Sequence, residues 1–290
     1  MLTTNTPNRA ESLIQKIDDW RRRTPSHIHN FGPDKHDYLH QSRTPYIEHG
    51  EGALFLLVPR HDFHEIIFFV KTIDQLPGAL TNLIQKLGAE KQYRITLNYK
   101  QPDPENENDL IRACFQAGFI RAKRTTRIRV NQNQTGRQKR RQQLLSLTAH
   151  IPFTPEWACP GDEQKILNLL QEEFDPCADN LPELDEIRQN IEKQQVAIIR
   201  HEGNIIAAHY FTIKNQIYYS WYDITQKAWR GDFLFLKIEL FINDYLEQHN
   251  IRLTRSHGWR DVTNKRFQRE DRVWKTIWEN IFTDHLVWQG

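Results

Sequence analysis

The chain has little of what usually announces a chemical function. Its only cysteines, Cys114, Cys159 and Cys177, form no close pair and no Cys-x-x-Cys. That argues against a disulfide framework and a thiolate zinc site, and it fits free thiols in a reducing compartment. No apolar run nears the roughly 20 residues that a membrane-crossing helix needs. The stretch Met1-Leu2-Thr3-Thr4-Asn5 lacks the apolar core of a secretion signal. A cytoplasmic protein with no membrane partner is therefore expected. An excess of one charge is also missing: 39 Lys and Arg against 37 Asp and Glu leave a formal +2, so global charge does not predict nucleic-acid binding. No Gly-x-Ser-x-Gly elbow is present, and Ser256 beside His257 is no sign of a hydrolase, because adjacency in sequence rarely gives triad geometry.

What is present is aromatic. A chain with 15 Phe, 9 Tyr and 8 Trp but a hydrophobic fraction of 38% predicts an aromatic-rich core under a very polar surface. The length of 290 residues fits one large domain or two small ones. An amphipathic helix opens the chain with Leu13, Ile14, Ile17 and Trp20 on one face, closed by Arg21-Arg22-Arg23 and Pro25. His27, His29, His36 and His40 follow in a polar stretch to Glu51 whose spacing matches no metal motif, so a loop and no metal are expected. Strands are predicted over 53–58 and 65–70, with a turn at Pro59-Arg60-His61-Asp62. A helix follows from Gln75 to a Gly88 cap, then a strand over 93–99, a helix over 109–117 ending at Gly118-Phe119, and a basic strand over 120–130. Residues 131–143 read as a polar linker with a basic cluster, Arg137, Lys139, Arg140 and Arg141.

The pattern then restarts. Helices are expected over 162–173 and 184–193, and strands over 195–200, 204–214 and 217–223. A long helix runs from about Phe233 to Gln248 with Leu234, Ile238, Phe241, Ile242 and Tyr245 as its apolar stripe. A strand over 251–255, a basic helix over 264–282 and a last strand over 285–288 complete the reading. The strand ending Trp221-Tyr222-Asp223 feeds the long helix through Gln226-Lys227-Ala228-Trp229-Arg230-Gly231-Asp232. Such a helix start can hold a phosphate, because its first N–H groups have no intrahelical partner and the dipole favours negative charge.

This element order resembles the GNAT acyltransferase superfamily. Arg230 to Phe235 lie where that family carries Arg-x-x-Gly-x-Gly or a variant; Arg230 and Gly231 suit the turn, while Phe233 and Phe235 replace the two glycines. Asn264 lies where many members open the next helix with asparagine, and Asp271 falls near the place of a common tyrosine. The first half, with Gly118-Phe119, is similar to a truncated copy of the same fold. The resemblance implies an α+β protein of two tandem GNAT-like domains, each a mostly antiparallel sheet flanked by helices: a degenerate one over 1–130, a basic linker over 131–150 and a second over 151–290.

It further implies an N-acyltransferase that takes acetyl-CoA or another acyl-CoA as substrate and acylates an amine of a small molecule or peptide with its second half. The donor phosphates would meet Lys227, Arg230, Gly231, Asp232, Phe233 and Asn264. From the residues themselves, Asp223 can accept a proton from the amine or cap a turn, and Tyr218, Tyr219 and Tyr222 can act as acids or pack on the sheet. His257 can serve as a general base or sit in a loop. A backbone N–H at 221–223 can polarise the acyl carbonyl. Two other readings stay open. One is a FemABX-like transferase using aminoacyl-tRNA, favoured by the basic cluster and by the basic last helix with Lys265, Arg266, Arg269, Arg272 and Lys275. The other is a non-catalytic binding module, favoured by Phe233 and Phe235.

Overall fold

The computed structural model describes residues 9–23, 28–30, 46–49, 52–60, 62–88, 90–100, 107–131, 134–263 and 277–289. The chain divides into two compact units. The first comprises Met1–Thr125, Pro176–Asp179 and Asn280–Gly290; the second comprises Thr126–Asp175 and Asn180–Glu279. The last strand thus counts largely with the first unit, where a continuous second domain over 151–290 was expected.

In the first unit, β1 (Ile28–His29), β2 (Tyr46–His49), β3 (Ala53–Arg60), β4 (Phe63–Val70) and β5 (Gln92–Lys100) join residues of β6 (Phe119–Asn131) and β12 (Ile277–Trp288). Strand β3 pairs antiparallel with β2 and β4, and β5 pairs parallel with β4 and antiparallel with β12. Alternation along β3 builds two cores from one strand. Ala53, Phe55 and Leu57 face α2 (Leu76–Leu87) and α3 (Asp109–Gln116), while Leu54, Leu56 and Val58 meet Ile17 and Trp20 of α1 (Arg9–Arg23). Helix α2 ends at Gly88, whose φ of +94° suits a residue without a Cβ. Asn108 caps α3 by accepting from the Leu110 N–H at 2.9 Å.

The second unit has β7 (Pro155–Trp157), β8 (Val196–His201), β9 (Asn204–Lys214) and β10 (Ile217–Thr225) in antiparallel succession, then β11 (Arg255–Asp261) parallel to β10. Val196 and Ile198 face α5 (Glu163–Glu173) and α6 (Leu184–Glu192); Ala197 and Ile199 face α7 (Leu234–Gln248).

Four expectations are corrected. The linker is largely α4 (Gln134–Thr148): its Gln, Arg, Lys and Leu residues favour helix, no proline interrupts it, and Leu144 is buried against Leu236 and Leu240 of α7. The strand expected over 251–255 begins only at Arg255, because the Ile251 N–H bonds the Leu246 carbonyl at 2.8 Å and closes the helix end first. Residues 277–282 are strand, not helix. Their pairing with β5 begins at Ile281, and Phe282 is buried, whereas Ile277 and Trp278 are exposed. The rest of that expected basic helix lies outside the described residues, as do Asn264, His27, His36 and His40, and the side chains of Leu13, Ile14, Arg137, Lys139 and Arg140. The stretch expected to be loop between Ser26 and Glu51 contains β1 and β2.

Candidate active site

One irregularity organises the second unit. Strand β10 pairs Ser220 with Phe211 and then Tyr222 with Tyr210, so Trp221 is an extra, bulged residue. In a regular strand Tyr218 and Asp223, five apart, would point to opposite faces. The bulge shifts the register by one and turns both to the same face. They meet there on His209 of β9, directly opposite Asp223. The Asp223 carboxylate bonds Nδ1 of the imidazole, and the Tyr218 hydroxyl bonds Nε2 at 2.5 Å. A carboxylate only accepts, so Nδ1 carries the proton, and in the neutral ring Nε2 accepts from the phenol. Phe211 stacks on Tyr218 with centroids 4.8 Å apart and fixes the phenol ring. Enclosure by protein pushes the Asp223 carboxyl up. The His209 imidazole, then Arg260 and the Ser220 hydroxyl, outweigh it and hold the group below the usual carboxylate range, although 38% of the side chain is open. This Asp–His–Tyr relay can pass a proton between the strand face and a bound group.

The parallel pairing beside the relay ends early. Parallel pairing of β10 with β11 runs from Ile217–Arg255 to Ser220–Gly258 and stops there, while β10 continues with β9 to Thr225. Next comes a single 3-10 turn, Lys227–Trp229, then Gly231 at φ +106° and Phe233 at φ +55°. Phe233 is the residue before α7, in the left-handed region, with no side-chain cap and no acidic residue in the first helical turn. A bulky residue there is strained, and such strain concentrates at ligand clamps. The Leu236 N–H bonds back to Phe233 at 2.9 Å, whereas the N–H groups of Leu234 and Phe235 find no carbonyl within the helix.

The rings at the glycine positions do not fill this turn alike. Phe235 packs with Leu144, Leu236 and Leu240, whereas Phe233 is 52% exposed. A Cβ on Gly231 would meet nothing within 4 Å. Lys227 is exposed and makes no ion pair among the described residues. Arg230 is tied to Glu173 and to the Thr225 carbonyl, and Asp232 is exposed beside them. The turn thus brings together two helix-start amides, a glycine open to solvent and, among the described residues, an unpaired Lys227, while Arg230 is held by Glu173.

The remaining expected residues scatter. Tyr222 donates its hydroxyl to the Asn180 carbonyl and packs on Phe174, centroids 5.2 Å apart. His257 is not in a loop: it is 4% exposed in mid-strand, because Ser256 to Trp259 extend β11. Burial pulls its imidazole down, with Arg127 and Arg255 acting the same way. Glu279 and the Ile128 backbone do not restore it, so the ring is neutral at pH 7. The relay contains Asp223, and the turn before α7 contains Lys227, Arg230, Gly231, Asp232 and Phe233. Sequence reasoning missed His209. A histidine among the apolar residues of 205–213 was the available signal, but only the cross-strand register reveals its partner. Among the described residues no group of His, Cys, Asp and Glu is arranged to hold a metal.

No protein-family model and no curated protein matches the chain. Solved structures do. A GCN5-related N-acetyltransferase from Sphaerobacter thermophilus is 12% identical at a TM-score of 0.52, over 99% of this chain and 94% of that one. A tandem GNAT protein from the clavulanic acid biosynthesis pathway is 11% identical at 0.54, over 99% and 97%. A functionally unknown conserved protein from Staphylococcus epidermidis is 10% identical at 0.51, over 84% and 94%. At such identities the likeness is one of fold: this chain has the mixed α+β fold of GNAT N-acetyltransferases.

Proposed function

We propose that this protein is an acyl-CoA-dependent N-acyltransferase whose second unit carries the donor site and whose first unit is a degenerate copy. The observation that carries the reading is the end of the β10–β11 pairing at Ser220–Gly258, one residue before a bulge and a short turn before an uncapped helix. In this reading the diphosphate of CoA lies on the amides of Leu234 and Phe235 beside Lys227. The thioester carbonyl accepts from a backbone N–H at the bulge, where charge develops in the transition state. The acceptor nitrogen attacks the carbonyl carbon. Its proton passes to the Tyr218–His209–Asp223 relay, the C–S bond breaks, and the departing thiolate takes a proton back, leaving an amide and the free thiol. The aminoacyl-tRNA alternative drew on the basic cluster, and of its side chains Arg141 is already bonded to Asp244 at 2.6 Å.

The test has two arms. Isothermal titration with acetyl-CoA is expected to show saturable binding that weakens in Lys227→Ala. Turnover of acetyl-CoA with an amine panel is expected to fall by about 10²–10⁴-fold in Asp223→Asn with acetyl-CoA affinity unchanged. Absence of binding to any acyl-CoA ends the proposal.

A further inference from the structure

Beside the relay stands a cation that the proton path does not use, Arg260. In the parallel register Tyr218 lies opposite Ser256 and Ser220 opposite Gly258. Tyr218 and Ser220 share one side of β10, so Ser256 and Gly258 share it on β11, and Arg260, two residues along the same strand, continues it. Ring stacking places it on the same side. Trp221 donates its indole N–H to Thr212 Oγ1 at 2.9 Å, and Thr212 lies opposite Tyr219, so the bulged Trp221 is on the side away from Tyr218. Trp259 stacks on Trp221 with centroids 4.5 Å apart and planes 9° apart. Trp259 therefore belongs to that far side, and its neighbour Arg260 to the near one. Asp223 is on the near side as well, because the bulge brings it opposite His209. One face thus collects Tyr218, Ser220, His209, Asp223 and Arg260. Enclosure pushes the Asp223 carboxyl up; His209, then Arg260, then the Ser220 hydroxyl hold it ionised, so the Arg260 guanidinium is within coulombic reach of the carboxylate. The Asp223 side chain is 38% exposed, and Tyr218, Ser220 and Arg260 are half-buried, so a group from solvent reaches both charges.

We propose that Arg260 is the carboxylate-binding residue of an acceptor site for α-amino acids, with Asp223 and His209 receiving the ammonium end. The inference rests on the N-acyltransferase reading and names its acceptor class. A carboxylate and a guanidinium on one accessible face match a zwitterion laid the opposite way round. In an α-amino acid one carbon joins the nitrogen to the carboxylate, so its two charges call for two opposite charges close together. Arginine suits the role because its planar fork meets both oxygens of a carboxylate at once. The same cation repels an amine that has no carboxylate, so it discriminates as well as binds. Acylation removes the ammonium charge, and the product then keeps the contact to Arg260 and loses the one to Asp223.

Titration calorimetry on the full chain, with and without excess CoA, compares glycine, L-leucine, L-lysine and L-glutamate with the amines that lack the α-carboxylate: methylamine, isoamylamine, cadaverine and 4-aminobutyrate. At least one amino acid is expected to bind about tenfold more tightly than its partner amine. In Arg260→Gln that amino acid is expected to weaken by about the same factor, while the matching amine binds equally or more tightly because a repelling cation has gone. A damaged fold would weaken both ligands together, so the opposite signs mark recognition. Arg260→Lys, which keeps the charge but not the fork, is expected to fall between, and it carries the test should the Gln variant fail to fold. No amino acid preferred over its amine, or a preference undiminished in either variant, overturns the proposal. So does an Arg260→Gln chain that loses affinity for acetyl-CoA in place of the amino acid. A chain that binds acetyl-CoA but does not discriminate the pairs loses this site and keeps the transferase reading. A chain that discriminates them through Arg260 but takes no acyl-CoA keeps the amino-acid site and loses the transferase reading.

Discussion

The two units contain the same device in opposite states. In each, a strand leads through a helix to a parallel neighbour: β4–α2–β5 in the first, β10–α7–β11 in the second. In each, a histidine and a tyrosine face each other one pair before the register ends, His64 with Tyr93 and Tyr219 with His257. The next pair decides the outcome. In the first unit it is Glu65 with Arg94, an ion pair at 3.0 Å whose side chains are 5% and 1% exposed. Beyond it Asn30 seals the seam, donating to the Ile66 carbonyl at 2.9 Å and the Thr96 carbonyl at 3.3 Å and accepting from the Phe68 N–H at 2.7 Å. Pro77, in the first turn of α2, has no N–H to offer an anion. In the second unit the last pair is Ser220 with Gly258, and α7 opens with free amides and no proline. The topology supplies a parallel strand pair whose pairing ends early in both units; the residues at and just beyond that end differ between them.

The largest expected effect tests the closed seam. Arg94→Met removes the cation paired with buried Glu65 at 3.0 Å, a loss of about 3–5 kcal/mol, read as a lowered urea midpoint. Adding Glu65→Leu should recover most of it, because the buried carboxylate that has lost this cation, rather than the missing contact, dominates the cost. Recovery below half would mean that the Arg94 bonds to the Cys177 and Asp179 carbonyls matter more than the pair. Next, Asn30→Ala leaves two carbonyls and an N–H to find other partners, about 1–3 kcal/mol. A midpoint that does not move would show that Asn30 does not seal the seam, and the contrast with the second unit would weaken accordingly.

The histidine pair gives a smaller effect with a defined sign. Both rings have folded-state pKa values below the ordinary 6.5, first through burial, then through Lys91 at His64 and Arg127 at His257. Between the folded and unfolded values the unfolded chain binds a proton that the folded chain does not. Stability is therefore fully present above about pH 6.5–7 and declines as pH falls, by at most about 1.4 kcal/mol per pH unit for one proton. Thermal midpoints taken from pH 7.5 to 5 should fall less steeply in His257→Phe than in the parent chain. His64→Phe should flatten the slope less, since that ring is only half-buried. Equal slopes in all three chains would remove the electrostatic asymmetry between the units.

Much of this architecture was legible in the residues, because the continuous apolar runs of β3, β4, β8 and β9, buried on both faces, and the stripe on α7 report burial directly. Gly88 marks a helix end by its local conformational demand. What escaped depends on partners far along the chain. Residues 134–148 look like a solvated basic linker because Leu144, which anchors them, finds its neighbours on α7 about 95 residues on. Residues 277–282 read as helix because Ile277 and Trp278 sit at helical spacing from Trp274, and nothing local shows that β5 awaits the residues from Ile281 onward. The relay escaped for a different reason. Tyr218 and Asp223 have the wrong parity for a shared face, and only the bulge at Trp221 corrects it. A one-residue irregularity leaves almost no trace in composition, yet it reassigns every side chain after it.

The smallest expected effect bears on the turn before α7. At φ +55° and 52% exposed, Phe233 carries the strain of the left-handed region while burying little of its ring. Phe233→Gly removes a cost of about 1 kcal/mol, partly offset by the greater freedom of glycine in the unfolded chain. The variant should be as stable as the parent or more so by up to about 1 kcal/mol, and acetyl-CoA should bind it at least as tightly because the backbone can approach the phosphates. Phe235→Gly is the contrasting case. It puts glycine inside the first turn of α7 and strips a ring from Leu144, Leu236 and Leu240, so it should destabilise by about 2–4 kcal/mol. If instead Phe233→Gly proves the more damaging of the two, the Phe233 ring has a packing role that its exposure does not reveal. The turn before α7 would then be a packed joint, and the opposition between the two units would reduce to Pro77 and to the ion pair and asparagine at the first seam.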